Sequence, residues 1–270
     1  MLPVIASRCV KALKLVAGAI FLGLVLLSLI AALRTIPIHV YDGFESSRLS
    51  WFRWSSNRFV PGAVAPEQSM VRAGHGALAI TVHSGDIYEA ASEEGAATER
   101  AELMESWWLF SRAGRTYVYS FSLYVPNDLP QTSERLVIAQ WKQICWRCHP
   151  DNPVLAIRLE DARLLVTRTH QRGREILYRG NEDVRGRWLD FRFVIKFENG
   201  KGGGIDATLD GHDIVHYRGS TLYRSARGYS PRRALIYFKT GLYRDALHEP
   251  PWTMYVDEYR KDQCAASGCL

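Results

Sequence analysis

Beyond residue 40 the chain is a succession of short stretches in which apolar and polar residues alternate, cut by turn residues and free of any long amphipathic helix. Alternation of period two puts successive side chains on opposite faces of a strand, and these stretches are rich in the β-branched and aromatic residues that suit a pleated surface. Strands are expected at Ala77–His83, Thr116–Tyr124, Arg135–Trp141, Val154–Leu159, Leu164–Thr169, Trp188–Phe197, Gly204–Leu209, Ile214–Tyr217, Leu235–Phe238 and Trp252–Tyr259. Pro126-Asn127-Asp128, Asn199-Gly200 and Asp210-Gly211 supply turn chemistry between them. Strands at this spacing predict an all-β sandwich, and the length suits one large jelly roll of two curved antiparallel sheets over residues 41–270. No internal repeat is present.

The N-terminus reads differently. Val16 to Leu33 is an uncharged, almost wholly apolar run that as a helix would rise about 27 Å, close to the thickness of a bilayer's hydrocarbon core. Arg8, Lys11 and Lys14 precede it and Arg34 alone follows closely, an asymmetry that leaves the N-terminus in the cytoplasm and the rest across the membrane. Residues 1–34 are therefore expected to be a cytoplasmic stub and single-pass signal-anchor, and 35–40 a linker. The expected location is a bacterial inner membrane with the folded domain in the periplasm. The alternative is a cleaved signal peptide, against which stand the length of the run and the lack of a small-x-small site near Ala31–Thr35.

Net charge is +6, with 34 basic and 28 acidic residues. Arg8, Lys11, Lys14 and Arg34 belong to the anchor, so the exported part is nearly balanced and global charge argues for no nucleic-acid partner. The sequence sets no oligomeric state. Cys9 precedes the anchor, whereas Cys145/Cys148 and Cys264/Cys269 form two close pairs beyond it, which reads as two short-loop disulfides in an oxidising compartment.

Three segments place polar residues at alternate positions of strand-like sequence: Glu99-Arg100-Ala101-Glu102-Leu103, Gln140-Trp141-Lys142, and Tyr237 to Asp245 (YFKTGLYRD). Arg100 and Glu102 share a face, as do Gln140 and Lys142. Tyr237, Lys239 and Tyr243 share another, with Gly241 leaving it bare between them. The opposite faces carry Ala101, Leu103, Ala139, Trp141, Phe238 and Leu242, sensible core residues. A sheet face lined with Arg, Gln, Lys and Tyr suits an anionic sugar chain.

These segments resemble the jelly-roll polysaccharide lyases, the group of heparin lyase I-like, glucuronan and alginate lyases, whose cleft is lined by R-x-E-L, Q-x-H and Y-F-K-x-G-x-Y. Here they read RAEL at 100–103, QWK at 140–142 and YFKTGLY at 237–243. The resemblance runs from YDGFES at 41–46 to WTMYVDEYR at 252–260, and the heparin lyase I-like branch is most similar through the Gln-Trp pair and the ending GLYRD. It implies a concanavalin-like jelly roll and β-elimination of a uronic-acid polysaccharide, in which the C5 proton is removed and the C4 oxygen expelled. Neutralising the adjacent carboxylate stabilises the enolate-like intermediate. The implied catalytic residues are Tyr243 as acid/base and Arg100, Gln140 and Lys142 at the carboxylate. Lys239, Tyr237, Arg244 and Glu102 are the implied substrate-binding set. A tyrosine, ordinarily near pKa 10, needs cationic neighbours to act as a base, and Lys239, Arg244 and Lys142 are the candidates.

The departure is Lys142, which stands where the family carries histidine. A lysine is a permanent cation but a poor base at neutral pH unless desolvated. Either Lys142 neutralises the carboxylate while Tyr243 moves the protons, or the fold only binds glycans. No cofactor is required by this chemistry. A structural calcium is conceivable in the acidic stretch Glu89–Glu99. Cys145-Trp-Arg-Cys148-His149 also fits the c-type haem pattern, but it runs into the turn cluster Pro150–Pro153, and a local disulfide explains it more simply. Four-cysteine zinc would need both pairs to meet. Arg100/Glu102 also reads as a plain sheet-face ion pair. No closely alternating acidic triplet suggests a glycoside hydrolase, and the histidines show no metal spacing.

Overall fold

A computed structural model describes residues 16–25, 28, 37–55, 59–87, 98–132, 135–144, 153–170, 173–223, 234–246, 250–265 and 269. The chain divides into two compact units, Met1–Ile38 and His39–Leu270. In the first, residues 16–25 are helical. No helix among the described residues is long and apolar enough to cross a membrane, and most of the rest of the apolar run lies outside them.

The second unit is a sandwich of two antiparallel sheets. One is ordered β14 (His212–Arg218), β13 (Gly204–Leu209), β12 (Arg187–Lys196), β7 (Thr116–Val125), β16 (Trp252–Gln263), β4 (Ala77–Val82), β3 (Val64–Glu67), with β1 (His39–Asp42) also paired to β16. The other is ordered β11 (Gly173–Asp183), β10 (Arg163–His170), β9 (Leu155–Glu160), β8 (Leu136–Ile144), β15 (Leu235–Asp245), β5 (Thr98–Glu105), β2 (Trp54–Ser55), with β6 (Ser111–Arg112) on β15. The expected jelly roll is thus the fold. Most expected strands recur within a few residues, but β15 and β16 run further than the alternation suggested, and β11 was not foreseen.

Aromatic side chains from facing strands fill the space between the sheets. Trp141 and Phe238 on one sheet meet Phe193, Phe121, Tyr119 and Tyr259 on the other, with ring centroids 4.8 to 5.7 Å apart in the nearest pairs. Such pairs contribute beyond their area because ring edges meet ring faces. One ionic cluster sits in this apolar layer. Glu105 of β5 accepts two bonds from Lys261 Nζ of β16, at 2.9 and 3.0 Å, one from the Phe238 backbone N–H at 3.1 Å, and one from the Tyr259 hydroxyl. Lys261 also donates to the Leu109 carbonyl and lies over the rings of Tyr117 and Tyr119. Burial pushes its pKa down even though Glu105 pulls it up.

Cys264 and Cys269 are joined by a disulfide, with Cα atoms 4.8 Å apart, just after β16. Cys145 and Cys148 lie outside the described residues, as does the acidic stretch up to residue 97. Among the described residues no group of three His, Cys, Asp or Glu is placed to hold a metal ion.

Candidate active site

β5 and β15 are paired so that Tyr243 stands opposite Arg100, Gly241 opposite Glu102 and Lys239 opposite Met104. On the other side of β15, Gln140 of β8 stands opposite Lys239 and Lys142 opposite Tyr237. Directly opposed residues share a face. Ala101, Leu103, Ala139, Trp141, Phe238 and Leu242 point into the sandwich and are buried, so their neighbours Arg100, Glu102, Gln140, Lys142, Tyr237, Lys239 and Tyr243 meet on the outer face of this sheet.

That face is layered. Glu102, Gln140 and Lys239 are no more than 2% exposed, whereas Arg100, Lys142, Tyr237 and Tyr243 are half-buried above them. Glu102 is the hub of the lower layer. One carboxylate oxygen accepts the Gln140 amide and the other accepts Lys239 Nζ at 2.5 Å, with Arg100 Nη1 3.6 Å away. Burial pushes the Glu102 carboxyl upward, but Lys239, Arg100 and the hydrogen bonds outweigh it and hold it below its ordinary value. Lys239 goes the same way for other reasons. Burial, and then the like charges of Arg100 and Lys142, bring its ammonium down to about 8 against the pull of Glu102.

Gln140 donates an amide N–H to Glu102 and so positions the hub. Arg244 departs further from expectation. It lies on the core side of β15, fully buried, with Nε 2.7 Å from Glu99 and its guanidinium 4.3 Å from the Trp252 ring centroid. It braces the end of β15 and does not line the outer face, because adjacent residues on a strand point opposite ways.

Tyr243 is held by two guanidinium groups. Arg100 lies over its ring at 4.4 Å, and Arg135 Nη1 donates to its hydroxyl at 3.1 Å. Arg135 is in turn fixed by Asp245, 3.3 Å from its Nε. The cations at this tyrosine are thus Arg100 and Arg135 rather than Lys239 and Arg244. Lys142 belongs to a different part of the face, since its partner Tyr237 lies six positions before Tyr243 on β15. Tyr237 stacks on Phe110, with centroids 5.2 Å apart. Sequence reasoning missed Arg135, Asp245 and also Arg158 of β9, which stands in the Tyr243 row: Arg100, Tyr243, Val137 and Arg158 are opposed in turn across β5, β15, β8 and β9. The signal for Arg158 was present, an arginine at an alternate position of the apolar stretch LAIRLE.

A family model described as polysaccharide lyase matches residues 44–260. The chain belongs to the polysaccharide lyase family. No curated protein matches it by sequence, so its likeness to solved structures is one of fold. The endo-β-1,4-glucuronan lyase from the fungus Trichoderma reesei is 18% identical with a TM-score of 0.60, over 83% of this chain and 94% of that one. The alginate lyase AlgAT5 of polysaccharide lyase family 7 is 16% identical with a TM-score of 0.53, over 79% and 95%. A cellulose-induced protein, Cip1, is 12% identical with a TM-score of 0.52, over 86% and 100%.

In this polysaccharide lyase-family domain the register of the site depends on one glycine. The β8–β15 pairing shifts between Thr240 and Tyr243, and Gly241 takes φ +138° there, with the place of a Cβ only 2.2 Å from the Ala101 carbonyl oxygen. Gly241→Ala is expected to lower stability by at least ~1–3 kcal/mol and to displace Tyr243 from Arg100. Chemical denaturation and tyrosine fluorescence check this; an unchanged unfolding midpoint would contradict it.

Proposed function

We propose that this protein cleaves a uronic-acid-containing polysaccharide by β-elimination, with Tyr243 moving the protons. The observation that carries the reading is the setting of Tyr243: a half-buried phenol on the outer sheet face, with the Arg100 guanidinium on its ring and an Arg135 N–H on its oxygen. These contacts fix the phenol oxygen on the open side of the sheet, where Tyr243 takes the C5 proton. The C5–H electron pair then forms the C4–C5 double bond, the C4–O bond breaks, and the same tyrosine returns its proton to the departing oxygen. Arg100 is the group closest to the reacting sugar's carboxylate. Its charge offsets the negative charge that develops as C5 loses its proton, and Glu102 holds it in place. Lys142 adds positive charge further along the face.

The resemblance to glucuronan and alginate lyases supports the reading in substrate class. Glucuronan and alginate share the arrangement that the chemistry needs, a carboxylate beside an acidic C5–H. We take the same reading to include location: an anchor formed by the apolar run holds the domain outside the cytoplasm, in accord with the Cys264–Cys269 disulfide. A mature protein lacking residues 1–34 would overturn that part.

The test is turnover of a panel of uronic-acid polymers by the purified protein, read as ultraviolet absorbance of the new C4–C5 double bond. Absorbance rising with any of them supports the proposal. Binding without absorbance on every polymer would mark a glycan-binding protein on a lyase fold, with Lys142 in the histidine position as the sequence feature to blame.

Lys239 gives the reaction a pH signature. Its folded value of about 8 lies below the 10.5 of a free lysine. As pH rises through about 8 the folded site loses one positive charge while Glu102 stays ionised. KM for an anionic polymer is therefore expected to rise. Stability moves the other way, because between about 8 and 10.5 the unfolded chain binds more protons at this residue than the folded one. This group thus adds stability as pH rises through that window, and lacks that contribution below about 8. KM measured from about pH 7 to 9 beside melting temperatures checks this. A KM rise that Lys239→Gln leaves untouched would assign the effect elsewhere.

A further inference from the structure

Arg158 has no role in the reading above, yet it occupies the same row of the face as Tyr243. Two independent registers put it on the outer side: it stands opposite Val137, which stands opposite Tyr243, and it is two residues from Ala156, which stands opposite Gln140. Its side chain is half-buried. Nε donates to the Thr167 hydroxyl at 3.1 Å, which fixes the guanidinium plane and leaves its terminal nitrogens for another partner. Among the described residues it has no carboxylate partner. Its charged neighbours are instead Arg174 and Arg135, with Tyr243 beyond. Arg174 is exposed on β11, opposite Thr169, in line with the face that carries Thr167. Burial, then Arg174 and Arg135, push the Arg158 guanidinium down to about 10. A sheet seldom sets two arginines beside a half-buried third without an anion to hold.

We propose that Arg158, flanked by Arg135 and Arg174, binds the carboxylate of the sugar next to the one cleaved, on the side of Tyr243 away from Arg100. The spacing selects the neighbouring sugar. Tyr243 and Arg158 are separated by β8, so their strands lie about 10 Å apart, while Arg100 is already on the Tyr243 ring. A polymer lying across the strands along this row meets Arg100 first, then Tyr243, then Arg158. A carboxylate there would accept two parallel N–H bonds from the fork of Arg158, a geometry that lysine cannot copy. The inference rests on the uronic-acid reading of the site and adds a requirement to it: uronic acids must be adjacent in the chain that is cleaved best.

The test uses the full protein with Arg158→Met, which keeps the buried stem, and Arg158→Lys. Kinetics on polyglucuronate are paired with retardation in native gels cast with polyglucuronate or, as control, a neutral cellulose derivative. Expected is a KM about 10-fold or more higher in Arg158→Met, kcat within about threefold, part of the loss recovered in Arg158→Lys, and weaker dependence of KM on salt. Retardation by polyglucuronate falls in step, and melting temperatures show both variants folded. If the wild-type protein is retarded but turns nothing over, loss of retardation in Arg158→Met still supports the subsite while the lyase reading fails. Unchanged KM and unchanged retardation overturn the subsite and leave the lyase reading standing. A collapse of kcat at constant KM also overturns it, since Arg158 would then act on the reacting sugar. Wild-type protein neither retarded nor active would sink both.

Discussion

Replacing Tyr243 by phenylalanine is expected to lower kcat on the best uronic-acid polymer by about 10²- to 10⁴-fold, the range over which a positioned acid/base contributes. The change removes one oxygen and leaves the ring on which Arg100 rests. The cost falls on the transition state, so KM should change far less than kcat. Arg135 loses its acceptor but keeps Asp245, so the fold should keep its melting temperature within a few degrees. Ultraviolet turnover assays and thermal melts of both proteins decide the matter. Turnover within tenfold of wild type would remove Tyr243 from the chemistry, and Lys142 would become the next residue to vary.

The second large effect concerns stability. Lys261→Met should cost about 3–5 kcal/mol, because it strands the Glu105 carboxylate in the aromatic layer between the sheets. The pair joins β5 of one sheet to β16 of the other, so its loss acts on the contact that closes the sandwich. Glu105→Gln should cost less, since the amide oxygen can still accept from the Phe238 N–H, the amide nitrogen can donate to the Tyr259 hydroxyl oxygen, and Lys261 keeps the Leu109 carbonyl. Combining the two should be clearly less harmful than the sum, because the double variant holds no unpaired buried charge. Urea unfolding of the three variants measures the cycle. A cost under about 1 kcal/mol for Lys261→Met would contradict this account of the pair.

Several strands were legible because their alternation is unambiguous. In β12, Phe191, Phe193 and Ile195 face the core while Asp190, Arg192 and Lys196 take the alternate positions. β11 was not legible. It lies at the edge of its sheet and carries GREILYRGNED with most side chains exposed, so no buried face imposes a pattern on its sequence. The strand expected at Leu235–Phe238 stops short of β15, although the segment from Tyr237 to Asp245 is strand-like throughout. In the folded chain the positive φ of Gly241 absorbs a register shift and the strand runs on to Asp245.

The site divides in the same way. Alternation by itself determined that Arg100, Glu102, Gln140, Lys142, Tyr237, Lys239 and Tyr243 would share the outer side of their strands, since in-and-out order is a local property of extended backbone. The sequence also carried the motifs by which the family is recognised. Which of those side chains meet was decided by strand order and register, which bring together residues more than a hundred positions apart. Only pairing of β5, β15 and β8 could bury Glu102 between Gln140 and Lys239, the unbroken β5–β15 ladder sets Tyr243 against Arg100, and the bulge at Gly241 sets it opposite Val137. Arg135 reaches the tyrosine from just before β8, and Arg158 joins its row from β9, through pairing that local sequence does not specify. Arg244, next to Tyr243 in the chain, went to the core instead because the pleat turns adjacent side chains apart, and Glu99 and Trp252 were there to receive it.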